Sequence, residues 1–271
     1  MMTGRRTTVG LCLLCALIVS ALAAQAASAA SQTAVECTES GTPVNSDRFA
    51  DAHCKTLEAG GHFFHAAIPA NTSIPIEGTN TTTGGASEPA VLKATVAGVT
   101  FSIEFTEFTL LNGGTLENKE VGGEMYAEGL TSAIHLANAA MTSPSPSCVV
   151  SGVPPSGGPN TPGTILTQPI RATTKGQAQG VVKFEPQTSN KLAEFTITGG
   201  ALCPAAVQGA YPVFGTVTSS KAEGATIPFV HSTITTTKSL RLKNASEGPV
   251  AGLAGKITIK KASGLVPIAL T

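Results

Sequence analysis

Two groups of side chains in this 271-residue chain have the types and spacing to do chemistry. The first is Glu107, Glu124, Glu128 and His135, set in a stretch that also holds Glu104, Glu117 and Glu120. Two carboxyl groups about 5 to 10 Å apart are what glycoside hydrolysis needs, one as acid and the other as nucleophile or base. Such acids, with His135 beside them, would make a hydrolytic site. The second group is His53, His62 and His65 next to Cys54. Thiolate plus imidazole is zinc chemistry, but no Cys-x-x-Cys spacing accompanies it. On a strand His62 and His65 point to opposite faces, which weakens the ligand reading. Only two aspartates exist, Asp47 and Asp51, without the glycine and spacing of a calcium loop. No nucleophile elbow, zinc-protease helix motif or phosphate loop occurs, so neither a metal nor a cofactor is expected. Trp is absent and Tyr126 and Tyr211 are the only tyrosines, which disfavours a sugar-stacking surface.

The cysteines depend on where the chain works. Arg5 and Arg6 precede an apolar run from Leu11 to about Ala24, then Ala24-Gln25-Ala26 and Ala27-Ser28-Ala29 offer small-residue cleavage sites. That is the pattern of a secretory signal peptide over residues 1–29, removed on export. The run is shorter than the roughly 20 residues a membrane helix requires, and no second apolar span follows. Cys12 and Cys15 leave with the leader, and Cys37, Cys54, Cys148 and Cys203 remain. An even number in an exported chain reads as two disulfides with three possible connectivities. Sequence proximity favours Cys37 with Cys54 and Cys148 with Cys203, closures worth about 3 and about 4 kcal/mol in the chain-entropy model.

These residues need a scaffold, and composition narrows it. Charged residues are 13% of the chain, aromatic residues 4%, with 29 Gly and 17 Pro. So few charges argue against disorder and long surface helices. Without the leader, 15 basic face 17 acidic side chains, a net charge of −2, which excludes a basic nucleic-acid surface. The clearest strand is Val99, Phe101, Ile103 and Phe105 alternating with Thr100, Ser102, Glu104 and Thr106. Beyond Thr106 the apolar phase slips to Phe108 and Leu110, so a β-bulge is expected at Glu107. Without one, Glu107 would share the buried face, where an unpaired carboxylate is costly. Asn112-Gly113-Gly114 marks a turn, and a helical turn is expected near Ser46 to Cys54. Six prolines between residues 141 and 163 mark a loop or linker. Roughly ten to thirteen short strands imply an all-β antiparallel sandwich or barrel tied by disulfides. Residues 30–271 read as one such domain, or as two packed lobes, 30–140 and 164–271, joined by 141–163.

Cys37, Phe49-Ala50-Asp51-Ala52-His53-Cys54 and Gly60-Gly61-His62-Phe63 together resemble the opening of a family of exported actinobacterial-type proteins with no assigned activity. Cys148-Val149-Val150, Thr164 to Ile170, Phe184-Glu185-Pro186 and Cys203-Pro204 are similar to the same pattern. The resemblance implies export and β structure and leaves function open. The sequence therefore leads to an expected secreted or cell-surface protein, a non-catalytic binding or structural module for an extracellular or cell-envelope partner. The competing expectation is an exported hydrolase using the glutamates of the first half.

Overall fold

In the run 99–105 the apolar side chains take one face, and a strand Val99–Phe105 forms with Phe101, Ile103 and Phe105 wholly buried. The computed structural model describes residues 32–262 and 268–270, apart from 53, 55, 81, 84, 85, 223–225, 230–239 and 244–247. The expected signal peptide, residues 1–29, and His53 lie outside the described residues. The phase slip after Phe105 is not a bulge within one ladder. Thr106 bends the chain, and Glu107–Leu110 starts a strand in another sheet, so Phe105 and Phe108 are both buried while Glu107 faces out. The Asn80 side chain holds the break: its amide donates to the carbonyls of Thr106 (3.3 Å) and Glu88 (3.0 Å), and its oxygen accepts from the Phe108 N–H. A change of sheet serves where a bulge was expected, because the chain must turn a corner and not merely absorb one residue.

The described residues form 24 strand segments and no α-helix, an all-β architecture of curled antiparallel sheets. Several segments are two or three residues long and lack any apolar alternation, which is why periodicity suggests fewer. One extended ladder runs, in spatial order, through Ala140–Ser143, Val99–Phe105, Ala90–Val96, Val250–Lys261, Leu240–Leu242, Gly209–Phe214, Lys191–Thr198, Val149–Gly152 and Thr161–Pro162. A second runs from Thr226–Phe229 through the same Val250–Lys261 to Ile74–Asn80, Gly114–Val121, Glu124–Thr131, Ile170–Thr173, Lys183–Pro186 and Val217–Thr218. Val250–Lys261 thus belongs to both. Its Ala251–Ala254 part pairs with Ala90–Val96, and its Gly255–Lys261 part pairs with Thr226–Phe229 and Ile74–Asn80. The changeover falls at Gly255, whose φ of +155° suits glycine and whose added Cβ would lie 2.9 Å from the Ala90 Cβ. Thr164–Leu166, Ile134–Ala137 and Glu107–Leu110 make a short third sheet, and Phe64–Ala67, Ala34–Thr38 and Ile268–Leu270 a fourth.

One buried cluster draws on strands from both ends of the chain and includes the mutually packed rings of Phe101, Phe195 and Tyr211. Phe195 and Tyr211 stack at 5.3 Å and Phe101 tilts against Tyr211 at 5.6 Å, offset contacts that aromatic quadrupoles favour. Two disulfides close, Cys37–Cys54 and Cys148–Cys203, the pairing that proximity favours. The segment 141–163 contributes to the sheets: Val149–Gly152, its β-branched stretch beside Cys148, pairs with Lys191–Thr198. Among the described residues between Ser46 and Cys54 no helical segment forms; a single turn links the Asp51 carbonyl to the Cys54 N–H at 3.0 Å. Phe49, itself buried, instead forms antiparallel backbone bridges to Leu57 and Phe63, exchanging N–H···O bonds with Phe63 at 2.9 and 3.2 Å, and these bonds commit its backbone to a sheet-like pairing.

Candidate functional site

Glu107 and His135 come together. Their strands are antiparallel neighbours, with His135 opposite Thr109 and Ala137 opposite Glu107, which places the imidazole Nδ1 3.7 Å from a Glu107 carboxylate oxygen. Both side chains lie on the outer face of the short third sheet, and Glu107 is 48% exposed. Glu124 and Glu128 are on a different ladder. Glu124 stands at the foot of the Gly122–Gly123 turn, opposite Val121. Glu128 lies across from Glu117, and Lys119 bridges the two at 3.2 and 3.7 Å. The hydrogen bond and charge of Glu128 hold the Lys119 ammonium above its usual range.

This arrangement repeats across the outer face of the second ladder. Lys260 pairs with Glu77 at 3.3 Å. Glu185 lies between Arg171 and Lys183, at 2.6 and 2.5 Å. Partial burial pushes the Glu185 carboxyl up, but hydrogen bonds and charge from Lys183 and Arg171 outweigh it and leave it below the ordinary 4.5. Acids alternating with bases across neighbouring strands are what a solvated sheet face selects. Glu128 belongs to that ladder of charges and not to a concave acid pair.

Of the candidate metal ligands, His62 is exposed, while His65 lies opposite Cys37 with its ring 4.9 Å from Phe49. Burial lowers the His65 pKa from its ordinary 6.5, partly offset by Asp47. Cys54 is bonded to Cys37 and is no thiolate. Among the described residues no group of three or more His, Cys, Asp or Glu side chains is placed to hold a metal ion. Asp47 accepts from the Asn45 amide at 2.9 Å, and Asp51 from the Thr56 N–H at 2.8 Å, both loop-forming bonds. Tyr211 is fully buried with its hydroxyl donating to the Val207 carbonyl at 2.7 Å, and burial raises its pKa. Tyr126 is also buried, under the Lys175 ammonium. Neither ring is free to stack on a sugar.

Between the sheets there is also an apolar concave feature. A cavity of about 70 Å³ lies against the inner face of the second ladder, walled by Ile76, Leu116, Ile170, Phe184 and Ile259. Its floor is Ala127, Gly129 and Ala172, in register on adjacent strands, Gly129 between Leu116 and Ala172. Alternation in 125–131 was legible, but that two neighbouring strands set small residues side by side was not, since register is a long-range property. Sequence reasoning also missed two buried polar side chains that fix the N-terminal strand. Asn118, wholly buried, accepts from the Ala34 N–H at 2.7 Å and donates to the carbonyls of Ala34 and Ile68 at 2.9 and 2.8 Å. Gln32 donates to the Gln177 and Ala178 carbonyls and accepts from Gly180. No protein-family model matches this chain, no curated protein matches it, and no solved structure matches it.

Proposed function

We propose that this chain is an exported, disulfide-tied β module with a non-catalytic binding or structural role outside the cytosol, akin to the exported proteins it resembles. The observation that carries the reading is the cysteine chemistry: all four cysteines beyond the leader are joined in two disulfides, with Cys37, Cys148 and Cys203 buried. Such bonds persist in oxidising compartments and are rare in the cytosol. No helix among the described residues is long and apolar enough to cross a membrane. The non-catalytic part is supported by Glu128 standing in a cross-strand ion pair with Lys119. Fractionation with intact-mass analysis tests the reading. Expected is an extracellular species lacking residues 1–26 or 1–29, whose four cysteines resist alkylation until reduced. Recovery of the full-length chain in the cytosol with free thiols would overturn it. A pull-down of envelope and culture components with the processed protein then addresses the partner.

One observation favours the second reading, an exported hydrolase: the 3.7 Å approach of Glu107 and His135. If the chain hydrolyses any member of a glycoside and ester panel, Glu107→Gln and His135→Ala must each abolish that activity. Undiminished turnover in both variants eliminates this site.

A further inference from the structure

The cavity on the inner face of the second ladder has a chemistry of its own. At about 70 Å³ it exceeds several-fold what a single water needs. Its polar lining is two hydroxyls, and both are committed. The Thr131 hydroxyl lies 2.9 and 3.0 Å from the carbonyls of Gly113 and Ala133. The Thr174 hydroxyl donates to the Gln32 carbonyl at 2.8 Å and accepts from the Ala127 N–H at 2.9 Å. Neither keeps a proton for a guest, so water entering would lose hydrogen bonds that an apolar guest does not need. The space is also not forced by the backbone. A Cβ on Gly129 would meet Thr115 O, Ala172 Cβ and Leu116 Cδ1 at 3.5, 3.7 and 3.8 Å, ordinary contacts, so an alanine would fit. A second apolar cavity of about 40 Å³ shares Ile134 and Phe184 with the first, so the Phe184 ring divides two adjoining spaces.

We propose that this cavity is a binding site for a small aliphatic group of a few carbons without a polar head, such as a short hydrocarbon or the end of an alkyl chain. The inference goes beyond the function proposed above and holds whether or not the chain is exported. Propane dissolved under increasing pressure, followed by methyl NMR on the oxidised protein, tests it. Saturable shifts are expected at Ile76, Leu116, Ile134, Ile170 and Ile259, together with a raised melting temperature. Gly129→Ala adds one methyl to the floor and should weaken binding several-fold, and Ala172→Leu should abolish it. Should Ala172→Leu not fold, Gly129→Ala carries the comparison. Absence of saturable shifts in the parent protein overturns the proposal. So does an equal response in the folded variants, or a response confined to exposed Leu57 and Leu202, which would be surface partitioning.

Discussion

Individual side chains in this protein take their roles from partners distant in sequence. His65 is the clearest case with a pH consequence. Burial against Phe49 disfavours its charged form, so the folded chain resists protonation while the unfolded chain takes up a proton at about 6.5. The unfolded state therefore binds more protons below that value. This contribution to stability is complete above pH 6.5 and declines as pH falls toward the folded-state pKa. Denaturant midpoints measured between pH 7.5 and 5 should show that decline, and His65→Phe should flatten it; an unchanged slope would remove His65 as its source. Asn118 is a structural counterpart. Asn118→Ala would leave the Ala34 N–H and two carbonyls without their buried partner, at a cost of about 2 to 4 kcal/mol in equilibrium unfolding. Nothing in Glu117-Asn118-Lys119 signals this, because a polar residue on an alternating strand reads as solvated until its neighbours are known.

Among the elements, Val250–Lys261 does most to shape the molecule, since it is the strand shared by the two long ladders. Gly255 lets it change partners, with a positive φ and the Ala90 Cα 3.1 Å from where a Cβ would be. Gly255→Ala should therefore destabilise by about 1 to 3 kcal/mol through backbone strain and crowding, read as a lower denaturant midpoint at unchanged m-value. A neutral result would mean the corner can form elsewhere. The slip after Phe105 is a second corner. It was legible as a disturbance of period two, yet a bulge and a change of sheet leave the same local signature. Asn80, 26 residues earlier, decides between them by bonding to both sides of the break.

Across the whole molecule, the two halves of the sequence interleave. Ile74–Asn80 and Ala90–Val96 pair with Val250–Lys261, and Glu124–Thr131 pairs with Ile170–Thr173. Residues 31–271 make one compact unit. Separating 30–140 from 164–271 would strip Ile74–Asn80, Ala90–Val96 and Glu124–Thr131 of these partners, so each fragment expressed alone should give a poorly dispersed amide spectrum, while the intact oxidised protein unfolds in a single transition by calorimetry and circular dichroism. A dispersed spectrum from either fragment would refute the interdependence. Ladders closed between residues more than a hundred positions apart also make for slow folding. The amino-acid sequence by itself determined the all-β class and the favoured cysteine pairing, because side-chain alternation and loop length are local quantities. Only the tertiary structure decided that Glu107 meets His135 while Glu128 is held by Lys119, and that Ala127, Gly129 and Ala172 share a floor. Those outcomes depend on which strand lies beside which and in what register, and a period-two pattern is compatible with many partners.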